Sequence, residues 1–300
     1  MKFFCLCMSP AVDATVTLPK APKGEGEIFK DVADEENVGG KTVNVARWIA
    51  LRAKGSGTGV ACGGLLGEDN AHLFARELSR YDIEDRFVRV LGSTRRNEML
   101  VWPGGSVKLN RAAFPLLGSL DGIDPLAGAE GCDVAVLSGS LPKCCGKGFY
   151  AECVGELKSR GITVALDASG EAMRLGIEAG PDLIKPNAEE CAPLVGFVPE
   201  SPDGFRRATD ALRAKVGHVI ISDGGGGAWF DGEFIPAPKV EVLDTTAAGD
   251  TLLAEFCWRS FECEDGMQEA GRWAVAAGSA ACTMPGGAPP DLALVEKLHA

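Results

Sequence analysis

The residues best suited to chemistry lie in Asp244-Thr245-Thr246-Ala247-Ala248-Gly249-Asp250-Thr251, with the apolar Leu252, Leu253, Ala254 and Phe256 behind them. Small residues open a helix here, and a carboxylate falls in its first turn. The unpaired N–H groups and the positive dipole end of a helix N-terminus attract an anion, most naturally a phosphoryl group. Asp250 beside that anion is placed to take a proton from an attacking hydroxyl. Anion cradle and carboxylate together are the minimum equipment for moving phosphate onto an alcohol. Taken alone, the stretch is also an ordinary helix start, because Asp favours a first turn and small residues precede many helices.

Five further stretches carry polar or glycine-rich chemistry. Gly39-Gly40-Lys41-Thr42-Val43-Asn44-Val45-Ala46 opens an amphipathic helix with Val43, Ala46, Ile49 and Ala50 inward. Its glycines let backbone approach a ligand, and Asn44 one turn in can hold hydroxyls. Lys185-Pro186-Asn187-Ala188-Glu189-Glu190 follows a strand, and Asn187 and Glu190 share a face of the next turn. They form either a capping box or a pair ordering Mg²⁺ and its waters near nucleotide phosphates. Ser222-Asp223-Gly224-Gly225-Gly226-Gly227 exposes backbone amides to a phosphate or adenosine, or simply turns a hairpin. Thr94-Arg95-Arg96-Asn97 and Val107-Lys108-Leu109-Asn110 place cations that could clamp a sugar phosphate. Gly55-Ser56-Gly57-Thr58-Gly59 superficially resembles a dinucleotide loop, but it follows a helix and precedes a strand, the reverse of that fingerprint. It reads as a helix C-terminal turn.

The elements that must position these residues alternate. Apolar β-branched runs at 133–138, 162–167, 183–184 and 218–222 are separated by helical segments such as 148–160 and 205–216, and a strand-like segment opens the chain at 3–8. Near-continuous apolar strands between helices indicate a parallel sheet covered on both faces, with ligands at the carboxyl ends of its strands. Residues 12–38 and 87–114 break the rhythm with turn residues and short alternating segments, and read as antiparallel strands of a small β lid. Residues 268–284 are helical and Ala-rich, and no linker divides the 300 residues, so a single domain is expected.

Composition sets limits. A net charge of −12 argues against nucleic-acid binding, without excluding an anionic substrate held by a local cationic cluster. Eleven Cys, an odd number with Cys144 and Cys145 adjacent, and no signal segment, point to reduced thiols and a cytoplasmic protein. No C-x-x-C occurs and only three His are present, which argues against a zinc enzyme; no apolar run reaches membrane-spanning length.

Together these stretches resemble the ribokinase-like (PfkB) carbohydrate kinase family, over nearly the whole chain. The run 244–250 resembles its D-T-x-G-A-G-D signature and 39–46 its G-G-K-x-x-N-V-A element. Ser138-Gly139-Ser140-Leu141-Pro142, Lys185-Pro186-Asn187 with Glu190, and Gly278-Ser279-Ala280-Ala281 follow in the expected order. Ser9-Pro10-Ala11-Val12-Asp13 and the Thr94–Asn97 element resemble the sugar-phosphate branch, which holds 1-phosphofructokinases and tagatose-6-phosphate kinases. The resemblance implies a three-layer αβα sandwich with a mostly parallel sheet and a β lid that excludes water. It implies ATP and Mg²⁺, with Asp250 as base and the amides of Ala247, Ala248 and Gly249 as anion hole. Asp13, Gly39, Gly40, Asn44 and Ser138 would hold the sugar, and Lys41, Arg95 and Lys108 its phosphate. Lys185, Asn187, Glu190, Ser222, Gly224, Gly225, Gly227 and Gly278 would line the ATP side, with Asn187 and Glu190 reaching the metal through water. A homodimer paired through the lid is one open arrangement.

Two positions depart from the pattern. Ala247 stands where the family has Gly; if that residue needs φ > 0, Ala costs on the order of 1 kcal/mol. Ser9 replaces the usual Asn. Three other functions remain: a kinase of an unphosphorylated sugar or nucleoside, a sugar-phosphate sensor that kept binding and lost transfer, and, remotely, a nicotinamide-dependent oxidoreductase.

Overall fold

A computed structural model of the chain describes residues 1–30, 32–114 and 117–300, so residue 31 of the expected lid lies outside the described residues. In chain order the strands are β1 (Lys2–Cys7), β2 (Ala11–Thr17), β3 (Ala33–Gly39), β4 (Gly59–Gly67), β5 (Glu84–Val90), β6 (Arg96–Trp102), β7 (Gly105–Leu109), β8 (Val134–Ser138), β9 (Thr163–Asp167), β10 (Leu183–Ile184), β11 (His218–Ser222), β12 (Gly227–Phe230) and β13 (Glu233–Pro236). The helices are α1 (Lys41–Arg52), α2 (Ala71–Arg80), α3 (Phe149–Ser159), α4 (Gly170–Glu178), α5 (Ala192–Val195), α6 (Pro202–Arg213), α7 (Ala248–Cys257), α8 (Met267–Ala281) and α9 (Leu292–His299).

Nine strands form one sheet in the order β13-β12-β11-β10-β9-β8-β1-β4-β5. From β11 to β5 all neighbours are parallel; β12 and β13 add an antiparallel hairpin. Alternate residues of one strand enter different cores. Phe3, Cys5 and Cys7 of β1 pack with α1, α7 and α8, whereas Phe4, Leu6 and Met8 pack with α3, α4 and α6. Both faces of the sheet are therefore covered, which is why the strands read as unbroken apolar runs. The layers are αβα, as the resemblance implied. From β1 the chain builds outward to β4 and β5, then crosses to β8 and builds the other way. Ligand crevices of open α/β sheets lie at such a reversal, outside the carboxyl ends of the strands.

The second sheet has the order β3-β2-β6-β7. It differs from expectation in two respects. Residues 87–90 belong to β5, which pairs parallel with β4 at the edge of the main sheet, so the second sheet resumes only at Arg96. Phe87 and Val90 are buried, and that burial anchors the segment to the main core. The second sheet is also mixed: β2 runs parallel to β6, and only β2–β3 and β6–β7 are antiparallel. The 55–59 stretch is, as expected, the turn after α1, and β4 begins at Gly59. Among the described residues no helix is long and apolar enough to cross a membrane.

Candidate active site

The 244–250 run bends sharply before α7. Ala247 sits in the left-handed region at φ 62°, ψ 4°, as the helix N-cap. Asp244 fixes the turn: its carboxylate accepts from the Thr246 amide (2.9 Å) and hydroxyl (2.8 Å) and from the Gly286 amide (2.9 Å). Burial opposes its charge, but these donors and the charge of Lys108 hold its carboxyl below the ordinary range. The Ala248 amide donates to the Thr245 carbonyl at 3.3 Å. Those of Ala247, Gly249 and Asp250 have no acceptor among the described residues and are free for an anion.

Asp250 occupies the first turn of α7 and is only 6% exposed. Asn44 Nδ2 donates to its Oδ2 at 2.9 Å. Burial, reinforced by the nearby Asp167 carboxylate, pushes its carboxyl up to about 6, against the pull of Asn44, Lys41 and Lys185. That value suits a base near neutral pH: mostly ionised, yet more basic than an ordinary Asp.

Asp167 is the residue that sequence reading missed. It ends β9 and lies between two ammonium groups, Lys41 at 3.5 Å and Lys185 at 3.4 Å, while the Ser138 hydroxyl donates to it at 3.1 Å. Burial disfavours the charge of Lys41, but Asp167, Asp250 and Glu190 outweigh it and hold the ammonium above the ordinary range. The available signal was a carboxylate closing an apolar strand at the sheet's carboxyl end, where ligands bind.

Two cavities flank this cluster. The smaller, about 270 Å³, is lined by Gly40, Lys41, Arg95 and Ser138 together with Ser9 and Ser169. The larger, about 610 Å³, is lined by Asn187, Ser222, Gly224, Gly225, Gly227 and Gly278, together with Ala248 and Gly249. Close approach demands glycine at two of these positions. At Gly227, φ is 135° and a Cβ would meet the Ile235 carbonyl at 2.1 Å; at Gly278 it would meet the Ala248 carbonyl at 3.1 Å.

Asp13, Lys108, Lys185 and Glu190 fall outside both cavities, whereas Arg95 and Asn187 line them with hydrogen bonds already made. Asp13 accepts from Asn97 at 2.8 Å and packs against Gly39, whose missing Cβ would lie 2.1 Å from its Oδ2. Lys108 stands exposed on β7 and acts on Asp244, not on the smaller cavity. The Arg95 guanidinium is engaged by the carbonyls of Ser9 (3.2 Å), Pro10 (3.3 Å) and Arg111 (3.3 Å). Lys185 is buried behind the α7 turn, its Nζ 3.4 Å from where a Gly249 Cβ would sit. Asn187 and Glu190 form the reciprocal capping box: the Asn187 amide donates to Glu190 Oε2 at 2.9 Å, and the Glu190 amide to Asn187 Oδ1 at 2.8 Å.

An αβα sheet with free amides at a helix start, a buried carboxylate and a cavity on either side has the parts that a phosphotransferase needs. The family described as pfkB family carbohydrate kinase matches residues 8–293, and the chain belongs to that family. A 1-phosphofructokinase of Rhodobacter capsulatus is 35% identical over 267 residues, 85% of this chain and 82% of that protein. One of Vibrio cholerae is 30% identical over 266 residues, 86% and 82% of the two chains. The crystal structure of a putative phosphofructokinase from Staphylococcus aureus superposes with a TM-score of 0.84 at 22% identity, covering 100% of this chain and 96% of that one.

Proposed function

We propose that this chain transfers the terminal phosphoryl group of ATP to a hydroxyl of a sugar phosphate, fructose 1-phosphate or a close analogue, with Asp250 as base. The observation that carries this reading is the placement of Asp250 at a helix start with free amides, beside the buried Asp167 held between the buried Lys185 and the more exposed Lys41. The larger cavity and its glycine amides suit a nucleotide, and the smaller cavity, with Lys41 on its wall, suits the sugar phosphate. Asp250 accepts the hydroxyl proton as the oxygen attacks. The free amides of Ala247, Gly249 and Asp250 and the ammonium of Lys41 stabilise charge on the transferring group. Asp167 keeps both ammonium groups in place and, by its own charge, keeps Asp250 basic.

The residues present fit Mg²⁺ only in part. Among the described residues no three carboxylate, His or Cys side chains converge, and one Glu190 oxygen is already given to the capping box. Mg²⁺ commonly arrives on nucleotide phosphates with its waters, and Glu190 and Asn187 would hold those waters. When bound, the ion neutralises phosphate charge.

Production of ADP from Mg²⁺–ATP with fructose 1-phosphate, tagatose 6-phosphate, fructose 6-phosphate and unphosphorylated fructose tests the reading. Turnover confined to one phosphorylated sugar supports it; silence with every sugar contradicts it. A second reading, phosphorylation of an unphosphorylated sugar, is favoured by the carbonyl-bound Arg95 and the remote Lys108, and predicts turnover with fructose alone.

A further inference from the structure

Arg47 lies one helical turn beyond Asn44 on α1 and is buried, at 7% exposure. Its Nη1 donates to Asn44 Oδ1 at 3.4 Å. Its Nη2 donates to the Val38 carbonyl and forms an ion pair with Glu77 of α2 at 2.8 Å. The Tyr81 ring lies 6.0 Å away, and Cys62 of β4 is the other titratable neighbour. On its far side Asn44 donates Nδ2–H to Asp250. We infer that Arg47 is a positioning residue: it fixes which way the Asn44 amide faces and thereby keeps an N–H donor on the Asp250 carboxylate. The inference rests on the proposal that Asp250 is the base.

The amide has two faces of opposite character. Its oxygen suits the guanidinium and its nitrogen suits the carboxylate. Reversal would set NH₂ against guanidinium and carbonyl oxygen against carboxylate, losing two hydrogen bonds and creating two repulsions. A neutral or shorter residue at 47 removes half of that discrimination. The Asn44 hydrogen bond favours ionised Asp250; the other groups facing it are Lys41 on α1, Asp167 at the end of β9 and Lys185 after β10. Weakening the bond therefore makes Asp250 hold its proton to higher pH. Val38 directly precedes the Gly39–Gly40 turn, so one guanidinium also ties the root of the second sheet to the base.

The test reads the Asp250 carboxyl by carbon NMR titration, and the acid limb of the kcat–pH profile with fructose 1-phosphate, in Arg47→Met, Arg47→Lys, Asn44→Ala and the Arg47→Met/Asn44→Ala double variant. Arg47→Met is expected to move the Asp250 midpoint upward, with kcat at pH 6 falling severalfold. Arg47→Lys, which keeps charge but loses the fork, recovers part of the shift and serves alone if the Met variant does not fold. In the Asn44→Ala background, Arg47→Met is expected to move the midpoint no further. An unchanged midpoint in the Arg47 variants, or an equal shift without Asn44, overturns the inference. A midpoint that moves while the acid limb stays still upholds the role of Arg47 and rejects Asp250 as base, so the two failures are distinguishable.

Discussion

Asp250 is held in a place that does not favour its own charge. Its carboxyl titrates at about 6 instead of the ordinary 3.8. A raised carboxyl pKa lets the folded state bind a proton more tightly than the unfolded state does. Stability is therefore greatest below the unfolded value and declines as pH rises from about 4 to about 6, by about 3 kcal/mol. Asp250→Asn should raise the melting temperature at pH 8 and leave it near the parent value at pH 4, as measured by calorimetry. Ala247 is a second local penalty, at φ 62°. Ala247→Gly should stabilise by about 1 kcal/mol in urea unfolding with turnover little changed. The motif residues were legible because glycine, Asp and Asn at fixed spacing have few structural substitutes. Asp167 was not, because a lone carboxylate at a strand end acquires meaning only when Lys41 and Lys185, 126 and 18 positions away in sequence, close on it.

Helices α1 and α7 carry Asn44 and Asp250, and they are pinned together along their length. Beyond the Asn44–Asp250 contact, Trp48 Nε1 donates to the buried Glu255 at 2.7 Å, and Arg52 and Arg259 each reach that carboxylate at 3.3 Å. Burial raises the Glu255 carboxyl in spite of these partners. Removing one member of such a buried set leaves the others uncompensated, so Glu255→Ala should destabilise by about 3–5 kcal/mol in equilibrium unfolding. Strand and helix existence followed from apolar period and length. Strand partnership did not follow: β5 has the alternation of a half-covered strand, yet its partner is β4 of the main sheet, and β2 joins β6 in parallel across nearly 80 residues. Sequence periodicity reports which face is buried and is silent on which neighbour supplies the hydrogen bonds.

Over the whole molecule, two sheets meet at the carboxyl ends of β1, β8 and β9, and the smaller cavity opens there. The net charge of −12 is offset locally by Lys41, Lys185 and Arg95, which is how an acidic protein can take anionic ligands. Their placement separates two cations that looked alike in sequence. Arg95→Ala opens the cavity wall and should raise KM for the phosphorylated sugar about tenfold or more, whereas Lys108→Ala should change KM less than twofold. Steady-state kinetics on both variants decide the matter; equal effects would require the second sheet to close further than it does here. The αβα layering was legible because strands buried on both faces leave a continuous apolar signature. The cavities were not, since they arise where segments distant in sequence leave space between them.

The most direct measurement is single-turnover ADP formation from Mg²⁺–ATP and fructose 1-phosphate, compared between the protein and Asp250→Asn, with nucleotide binding followed in parallel. Loss of the rate by about 10²–10⁴-fold with nucleotide affinity retained is the predicted result. A rate in Asp250→Asn within a few-fold of the parent would contradict the account, because the carboxylate at the start of α7 would then not be the base.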